Sequence, residues 1–196
     1  SESNQEKILS RLKGHEDRIN ELINRGVIFL MTGNTFEIMG NFIKDSDGKK
    51  IEGLGIFDFY SERTIPDRHN SLVLGEYNGM KLVGSISRFS HSYDIKPEDG
   101  FIDVKKGYGS CKDSKNEGIR RNNLFGTYLL GPFLILNPDF TKYLMTLLGV
   151  EKPTLAFENE IYKAYDVRLK EFESDIKFNW WKKLRDHFNE HGAFSI

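Results

Sequence analysis

The chain of 196 residues is long enough for a single domain with a substantial hydrophobic core. Its formal net charge is -1 although 29% of the residues are charged, so no net positive field favours nucleic acid or an anionic membrane surface. The single cysteine, Cys111, excludes an internal disulfide, and the longest apolar runs, 26–31 and 128–136, are far shorter than the roughly 20 residues that span a bilayer. These features predict a cytoplasmic, soluble protein that binds no nucleic acid and does not insert into a membrane.

The first 40 residues predict a helix, a strand and a turn into a second helix. Apolar residues recur at helical spacing from Glu6 to Arg25, with Gly14 as a candidate break and Gly26 as a candidate C-terminal cap. The apolar run 27–31 predicts a strand that is buried on both faces of a sheet. Residues 32–39 then turn sharply into a helix. This strand, turn and helix order is typical of α/β proteins.

The rest of the chain predicts a hairpin followed by helices. Asn78-Gly79 stands between two apolar runs, and it favours a type I′ turn because both central residues of that turn need positive φ. Asn137-Pro138-Asp139 predicts a helix start with the Asn137 side chain as its cap. Residues 157–172 carry another helical stripe of apolar residues. The tail 178–196, which holds both tryptophans, predicts a further amphipathic helix.

Several motifs resemble those of a known family. Gly107-Tyr108-Gly109, Gly126-Thr127-Tyr128-Leu129-Leu130-Gly131-Pro132 and Asn137-Pro138 occur in the order of the C-terminal signature of the cobyric-acid-synthase type of class I glutamine amidotransferases. Within that family they are similar to the glutaminase subunit of lipid II isoglutaminyl synthase. The resemblance runs from about Val27 to Val150. It implies a flavodoxin-like α/β fold in which a central, mostly parallel sheet with hairpin strands is flanked by helices.

The resemblance also implies a domain organisation. Residues 1–150 are expected to form the amidotransferase-like domain, and residues 151–196 a C-terminal helical extension packed on it. Ser1-Glu2 is similar to the segment that follows a diglycine strand end in the family, so the first strand–helix units are expected upstream of Ser1. An expression scar or a processed terminus would give the same beginning.

The two residues that perform glutaminase chemistry in the family have no counterpart here. The family has Cys-Gly-Gly-x-Gln-x-Leu-Gly at its strand-to-helix turn, and its signature reads Gly-Thr-Tyr-Leu-His-Gly-Pro. By this resemblance Gly33 occupies the position of the cysteine nucleophile, and Leu130 the position of the histidine base. Glycine carries no nucleophile, and an isobutyl group accepts no proton. A one-residue shift brings Thr32 or Asn34 to the turn, and neither is a cysteine. We therefore expect the glutaminase reaction to be absent.

The resulting prediction is a homologue that binds a small amino-acid-like ligand or a Mur-ligase-like partner, without a cofactor. Gly33 and Asn34 are ligand-binding candidates because backbone N–H groups at a helix start suit an anion. Glu37 stands at the family's glutamine position, about one helical turn further on. Arg68 and Arg88 lie in segments that correspond to the family's pocket wall. A merely structural turn and solvent-facing arginines are the alternatives.

Two other functions stay open. An active amidotransferase subunit would supply ammonia to a Mur-ligase-like partner in cell-wall synthesis, with rearranged residues such as Cys111 as nucleophile and His91 as base. An interaction module would use the tryptophan-containing tail to pack on another chain. His187 and His191 lie four residues apart but lack a third ligand in a recognisable pattern, so no metal site is predicted.

Overall fold

The structure is a computed structural model that describes residues 2–174. The helices in this range are α1 (Glu2–Leu12), α2 (Glu16–Asn24), α3 (Phe133–Leu136), α4 (Pro138–Leu147) and α5 (Glu158–Glu173). The strands are β1 (Phe29–Thr32), β2 (Phe42–Lys44), β3 (Lys50–Glu52), β4 (Tyr60–Arg63), β5 (His69–Tyr77), β6 (Met80–Arg88), β7 (Ser90–Tyr93), β8 (Gly100–Lys106), β9 (Asn116–Arg121) and β10 (Leu124–Thr127). Two 3₁₀ segments cover Gly33–Met39 and Pro97–Asp99. The predicted tail helix at 178–196 lies outside the described residues.

The described strands form two mixed sheets. The first has the order β1-β10-β9-β8-β5-β6, and the second has the order β3-β2-β4-β7. In the first sheet β1 and β10 are parallel, whereas the other pairings are antiparallel. The prediction of a mostly parallel sheet is therefore not confirmed, and the chain has a mixed α/β fold. The physical reason is connectivity, because β5 and β6, like β9 and β10, are joined by two-residue turns that permit only antiparallel pairing.

The N-terminal helical segment agrees with its prediction. The chain breaks between α1 and α2 at Gly14, which has a φ of +86°. Gly26 follows α2 with a φ of +77°, as a C-terminal glycine does. Strand β1 begins at Phe29, and its first three residues are only partly buried, so the prediction of burial on both faces is wrong. Among the described strands, β1 pairs with β10 alone, which leaves one of its edges without a neighbour.

The predicted hairpin is confirmed, with Asn78 and Gly79 at its turn. Asn78 and Gly79 have φ values of +48° and +76°, and they connect β5 to β6 with Tyr77 opposite Met80. Positive φ at both central residues is the type I′ arrangement, whose twist matches that of the two strands. The hairpin therefore fixes the register along the whole length of β6, which ends at Arg88.

Helix α4 begins at Pro138 as predicted, but the Asn137 side chain does not cap it. Its Oδ1 accepts a hydrogen bond from the Val83 N–H at 2.8 Å, and its Nδ2 donates to the Val83 carbonyl at 3.0 Å and to the Phe133 carbonyl at 2.8 Å. The amide satisfies backbone groups on β6 instead of the first turn of the helix. The predicted capping role is wrong, because the buried strand competes for the same side chain.

The core joins both sheets to the helices. Its largest fully buried side chains include several aromatic ones: Phe36, Phe57, Phe59, Phe125, Tyr128 and Phe140. Helix α5 packs on β5 and β6, where Tyr165 contacts Leu74 and Val83 and donates to the Lys81 carbonyl at 2.7 Å. Phe157, predicted on the same stripe, is 80% exposed. The described part of the C-terminal extension thus packs on the first sheet. The domain boundary at residue 150 remains a prediction.

Candidate functional site

The turn after β1 depends on glycine. Gly33 has a φ of +66°, a conformation that glycine adopts without steric cost and other residues rarely adopt. The chain then continues as the seven-residue 3₁₀ segment Gly33–Met39 and not as the predicted α-helix. A segment this short has little aligned dipole, so the helix-start argument for anion binding does not apply.

Gly33 and Leu130 lie together. Leu130 follows β10, and its N–H donates to the Ser85 carbonyl of β6 at 2.8 Å, which holds its side chain against the turn. A β-carbon added to Gly33 would lie 3.4 Å from Leu130 Cδ2. The turn and the glycine-rich signature therefore meet in space, and neither residue offers a nucleophilic or basic side-chain atom at the meeting point.

A cavity of about 210 Å³ opens beside this contact. Its lining contains two arginines, several neutral polar groups and two apolar side chains, but no acidic residue. The lining residues are Gly33, Asn34, Arg63, Ser87, Arg88, Phe89, Ser90, Tyr128 and Leu130. The cavity thus includes Gly33, Asn34 and Arg88 of the predicted binding residues.

Glu37 lies behind the cavity wall. It is fully buried, and its carboxyl accepts hydrogen bonds from the Tyr128 hydroxyl at 2.7 Å, from Gln5 Nε2 at 2.8 Å and from the Ser90 hydroxyl. Burial raises the pKa of Glu37, and the three hydrogen bonds only partly oppose that effect. Ser90 and Tyr128 stand between the carboxyl and the cavity, so Glu37 supports the wall and does not line it.

Arg88 is buried, which contradicts the solvent-facing alternative for this residue. Its guanidinium carbon lies 3.8 Å from the centroid of the Tyr128 ring, within cation–π range. Nη2 donates to the Gly109 carbonyl at 2.8 Å and contacts His91 Nδ1 at 3.5 Å. Nε and Nη1 are buried and have no hydrogen-bond acceptor among the described residues.

Arg63 is a second buried arginine at the cavity, and it was not among the predicted site residues. Its side chain is 4% exposed, and Nη2 donates to Gln5 Oε1 at 3.2 Å. Nη1 lies 3.4 Å from Asp45 and 3.7 Å from Glu6, while Nε has no acceptor among the described residues. The sequence signal that could have identified Arg63 is the alternation of side chains along β4. Ser61 and Arg63 are both buried, two residues apart on the same face of the strand.

Arg68 lies at the rim. It is exposed, and its guanidinium carbon lies 4.5 Å from the centroid of Phe89, a lining residue. Arg68 does not line the cavity itself. The structure therefore separates the two predicted arginines, with Arg88 in the wall and Arg68 outside it.

The alternative pair, Cys111 and His91, is not joined by a hydrogen bond in the described part of the chain, and neither residue lines the cavity. The His91 ring lies 5.3 Å from the ring of His69. Burial, followed by the charge of Arg88, lowers the pKa of His91 to about 4. Within residues 2–174 no cluster of three or more His, Cys, Asp or Glu side chains is arranged to hold a metal. His187 and His191 lie outside that range.

Glu117 is buried and holds the motif Gly126-Thr127-Tyr128 in place through hydrogen bonds. Its carboxyl accepts hydrogen bonds from the Thr127 hydroxyl and from the Tyr128 N–H, both at 2.6 Å. Burial raises the pKa of Glu117 to about 7. This role is not evident from the sequence, because a buried carboxyl and an exposed loop acid look alike in one sequence.

The chain belongs to the CobB/CobQ-like glutamine amidotransferase domain family, which matches residues 1–138. It is 31% identical over 180 residues to the lipid II isoglutaminyl synthase (glutamine-hydrolyzing) subunit GatD of Staphylococcus aureus (strain N315). The aligned region covers 91% of this chain and 71% of that relative. The chain is 30% identical over 134 residues to the corresponding GatD subunit of Streptococcus pneumoniae, covering 65% of this chain and 49% of that relative.

A more distant relative is a probable cobyric acid synthase of Methanococcus maripaludis (strain C5), 26% identical over 166 residues. The match covers 79% of this chain but only 33% of that protein. None of the helices in the described part of the chain combines the length and apolar character needed to cross a bilayer. The resemblance to the amidotransferase family that the glycine-rich motifs indicated is confirmed.

Proposed function

We propose that this chain is an amidotransferase-like domain that binds a small ligand, or a partner protein, without hydrolysing glutamine. One observation carries the proposal: the side chains of the two positions aligned with the family's nucleophile and base meet at one cavity as Gly33 and Leu130. Amide hydrolysis by a thiolate needs an attacking sulfur and a proton acceptor within hydrogen-bond reach of it. A hydrogen atom and an isobutyl group supply neither.

The partner part of the proposal rests on analogy. The GatD relatives are by name subunits of lipid II isoglutaminyl synthase, so they act within a larger assembly. A Mur-ligase-like partner and a place in cell-wall synthesis are the corresponding proposals for this chain. Light scattering of the full chain mixed with such a protein tests this part, since a stable complex has the summed mass.

An active hydrolase with rearranged residues retains one geometric candidate. Ser90 lines the cavity, and its hydroxyl donates to the Glu37 carboxyl, which is the contact that a serine nucleophile makes with a base. However, the Glu37 carboxyl is fully buried and also accepts hydrogen bonds from Gln5 Nε2 and the Tyr128 hydroxyl, which hold it as part of the wall. This arrangement supports a structural hydrogen bond better than an activated nucleophile.

The test is ammonia release from L-glutamine by the full chain, alone and with the candidate partner. We expect no release above the protein-free blank under conditions in which the Staphylococcus aureus GatD relative, assayed in its own complex, is active. Ser90→Ala and Cys111→Ser are the diagnostic variants. Turnover by the wild-type chain that either substitution abolishes would overturn the proposal and would identify the residue that replaced the family's cysteine.

A further inference from the structure

We propose that the cavity beside Gly33 and Leu130 is a binding site for a small oxyanion, a carboxylate or phosphate group, held by Arg63 and Arg88. The inference rests on the proposed function, since it assumes that the cavity holds a ligand and does not cleave it. It adds the chemical class of that ligand and the two side chains that recognise it.

The charge around the cavity favours an anion. Both arginines are nearly fully buried, and no acidic side chain lines the cavity with them. The buried carboxyl of Glu37 stands behind Ser90 and Tyr128 and already accepts three hydrogen bonds. The acidic neighbours of Arg63 lie outside the cavity lining, at 3.4 Å and 3.7 Å from a single nitrogen. The cavity lining therefore contains two guanidinium groups and no carboxylate.

The hydrogen-bond inventory points to the same class of ligand. A guanidinium carries five N–H donors and accepts none. Arg88 Nε and Nη1 and Arg63 Nε are buried without an acceptor in the described part of the chain. Buried donors are normally satisfied, and a cationic one left unsatisfied is unfavourable. The planar fork of a guanidinium matches the paired oxygens of a carboxylate or phosphate, which would supply the missing acceptors after a small adjustment of the wall.

The other lining residues limit the size of the ligand. Ser87, Ser90 and Asn34 offer neutral hydrogen-bonding groups, whereas Leu130 and Phe89 form an apolar wall that suits a short aliphatic stem. The cavity volume of about 210 Å³ lies below the roughly 300–1,000 Å³ of pockets that hold drug-sized ligands. These properties fit an amino acid, a small carboxylic acid or inorganic phosphate.

Thermal unfolding of the full chain tests the site. Sodium phosphate, sodium acetate and L-glutamate are titrated at constant ionic strength set with sodium chloride, and L-glutamine serves as the side-chain-neutral comparison for L-glutamate. We expect a saturable rise in Tm with at least one of these probes. A response to phosphate alone assigns a phosphoryl group, and a response to acetate or L-glutamate assigns a carboxylate. A Tm that stays constant, or that rises without saturation, with every probe at constant ionic strength would overturn the site.

Variants locate the response. Arg88→Gln and Arg63→Gln should weaken the apparent affinity at least tenfold. Arg18→Gln is the matched control, because Arg18 is 57% exposed, pairs with Glu21 on α2 and lies away from the cavity lining. An unchanged affinity in folded Arg88→Gln would contradict the proposal.

A second pair of variants covers the case in which loss of a buried arginine unfolds the chain. Ser87→Asp places a carboxylate in the cavity, and Ser87→Asn adds nearly the same volume without charge. We expect Ser87→Asp to unfold at a higher temperature than Ser87→Asn and to lose the response to added anions. A lower Tm for Ser87→Asp would overturn the site. If the chain shows neither an anion response nor ammonia release, the oxyanion site is rejected but the proposed function stands. Glutamine turnover that depends on Ser90 or Cys111 would reject the proposed function itself.

Discussion

Gly33 and Leu130 are in contact range across the turn that follows β1, because they come after the C-terminal ends of β1 and β10, which are neighbouring parallel strands. A β-carbon built on Gly33 would lie 3.4 Å from Leu130 Cδ2, an ordinary van der Waals distance. The positive φ of Gly33 is compatible with glycine and strained for any other residue. The turn therefore has room for a β-carbon, but its backbone conformation favours glycine, and these two properties can be measured separately.

Three glycine-to-alanine variants separate backbone strain from steric overlap. Gly48→Ala measures strain alone, because Gly48 has a φ of +82° and nothing lies within 4 Å of an added β-carbon. Gly33→Ala should cost about the same, on the order of 1–2 kcal/mol of unfolding free energy. Gly118→Ala should cost more, about 3 kcal/mol or above, since its β-carbon would lie 2.1 Å from the Gly126 carbonyl oxygen. Urea unfolding measures all three, and a Gly33→Ala loss as large as that of Gly118→Ala would show that the turn has no spare room.

Glu117 should make stability depend on pH. Its folded-state pKa of about 7 lies above the ordinary value of 4.5, so the folded state binds the proton more tightly than the unfolded chain. This contribution is fully present below pH 4.5 and is lost as the pH rises to about 7. The shift corresponds to about 3 kcal/mol as an order of magnitude.

Glu117→Gln isolates this effect. The glutamine carbonyl can accept from the Tyr128 N–H, and its amide can donate to Thr127 Oγ1, so the variant imitates the protonated carboxyl. The variant should be more stable than the wild type at pH 8, and the difference should shrink towards pH 5. Urea midpoints at both pH values test this, and taking the difference between the two proteins removes the opposite pH dependence expected from His91. A difference that does not change with pH would contradict a raised pKa at Glu117.

Local sequence signals predicted the turns and the helix boundaries well. The Asn78-Gly79 turn, the break at Gly14 and the start of α4 at Pro138 all depend on the φ preferences of a few adjacent residues. The direction of strand pairing was not predictable in the same way. It depends on which distant strands become neighbours, and alternation of apolar residues contains little information about that. The mostly parallel sheet was therefore an expectation from resemblance, and the structure replaces it with a mixed sheet.

The cavity shows the same limit at the level of side chains. Gly33, Asn34 and Arg88 were predicted because they lie in segments that correspond to the family's motifs and pocket wall, and all three line the cavity. Arg63 was considered with Arg68 and Arg88 but was not assigned to the site, since a charged residue is ordinarily expected to face solvent. Gln5, which reaches Glu37 and Arg63 from helix α1, was not predicted either. Such contacts join residues far apart in the sequence, and only the folded arrangement of α1 against the 3₁₀ segment brings them together.

The Tyr128 hydroxyl should be important for stability. It donates to the Glu37 carboxyl at 2.7 Å and lies 2.7 Å from the Ser92 hydroxyl, in a fully buried position. Tyr128→Phe keeps the ring beneath the Arg88 guanidinium but removes one of the three hydrogen bonds to Glu37 and one of the two to Ser92. We expect a loss of about 1–3 kcal/mol of unfolding free energy.

Tyr143→Phe is the matched control for this substitution. The Tyr143 hydroxyl is 3.5 Å from the Tyr77 hydroxyl, at the limit of a hydrogen bond, and Tyr143 is only partly buried. Its removal should change stability by about 0.5 kcal/mol or less. Urea unfolding at pH 7 compares the two variants. Equal losses would mean that the hydrogen bonds to Glu37 and Ser92 contribute little to stability.

Asn137 provides a direct test of the strand-binding role against the capping role. Asn137→Ala removes three hydrogen bonds to the backbone of Val83 and Phe133, and it should cost about 2–3 kcal/mol of unfolding free energy. Asn137→Ser restores a favourable N-cap residue but is too short to reach both groups of Val83. If the amide acts through the strand, the serine variant should stay within about 1 kcal/mol of the alanine variant.

Asn41→Ala is the control for this substitution. It removes an exposed contact with Asp58 and should change stability by at most about 0.5 kcal/mol. If Asn137→Ser were as stable as the wild type, Asn137 would act mainly at the start of α4. Its hydrogen bonds to Val83 of β6 would then contribute little to stability.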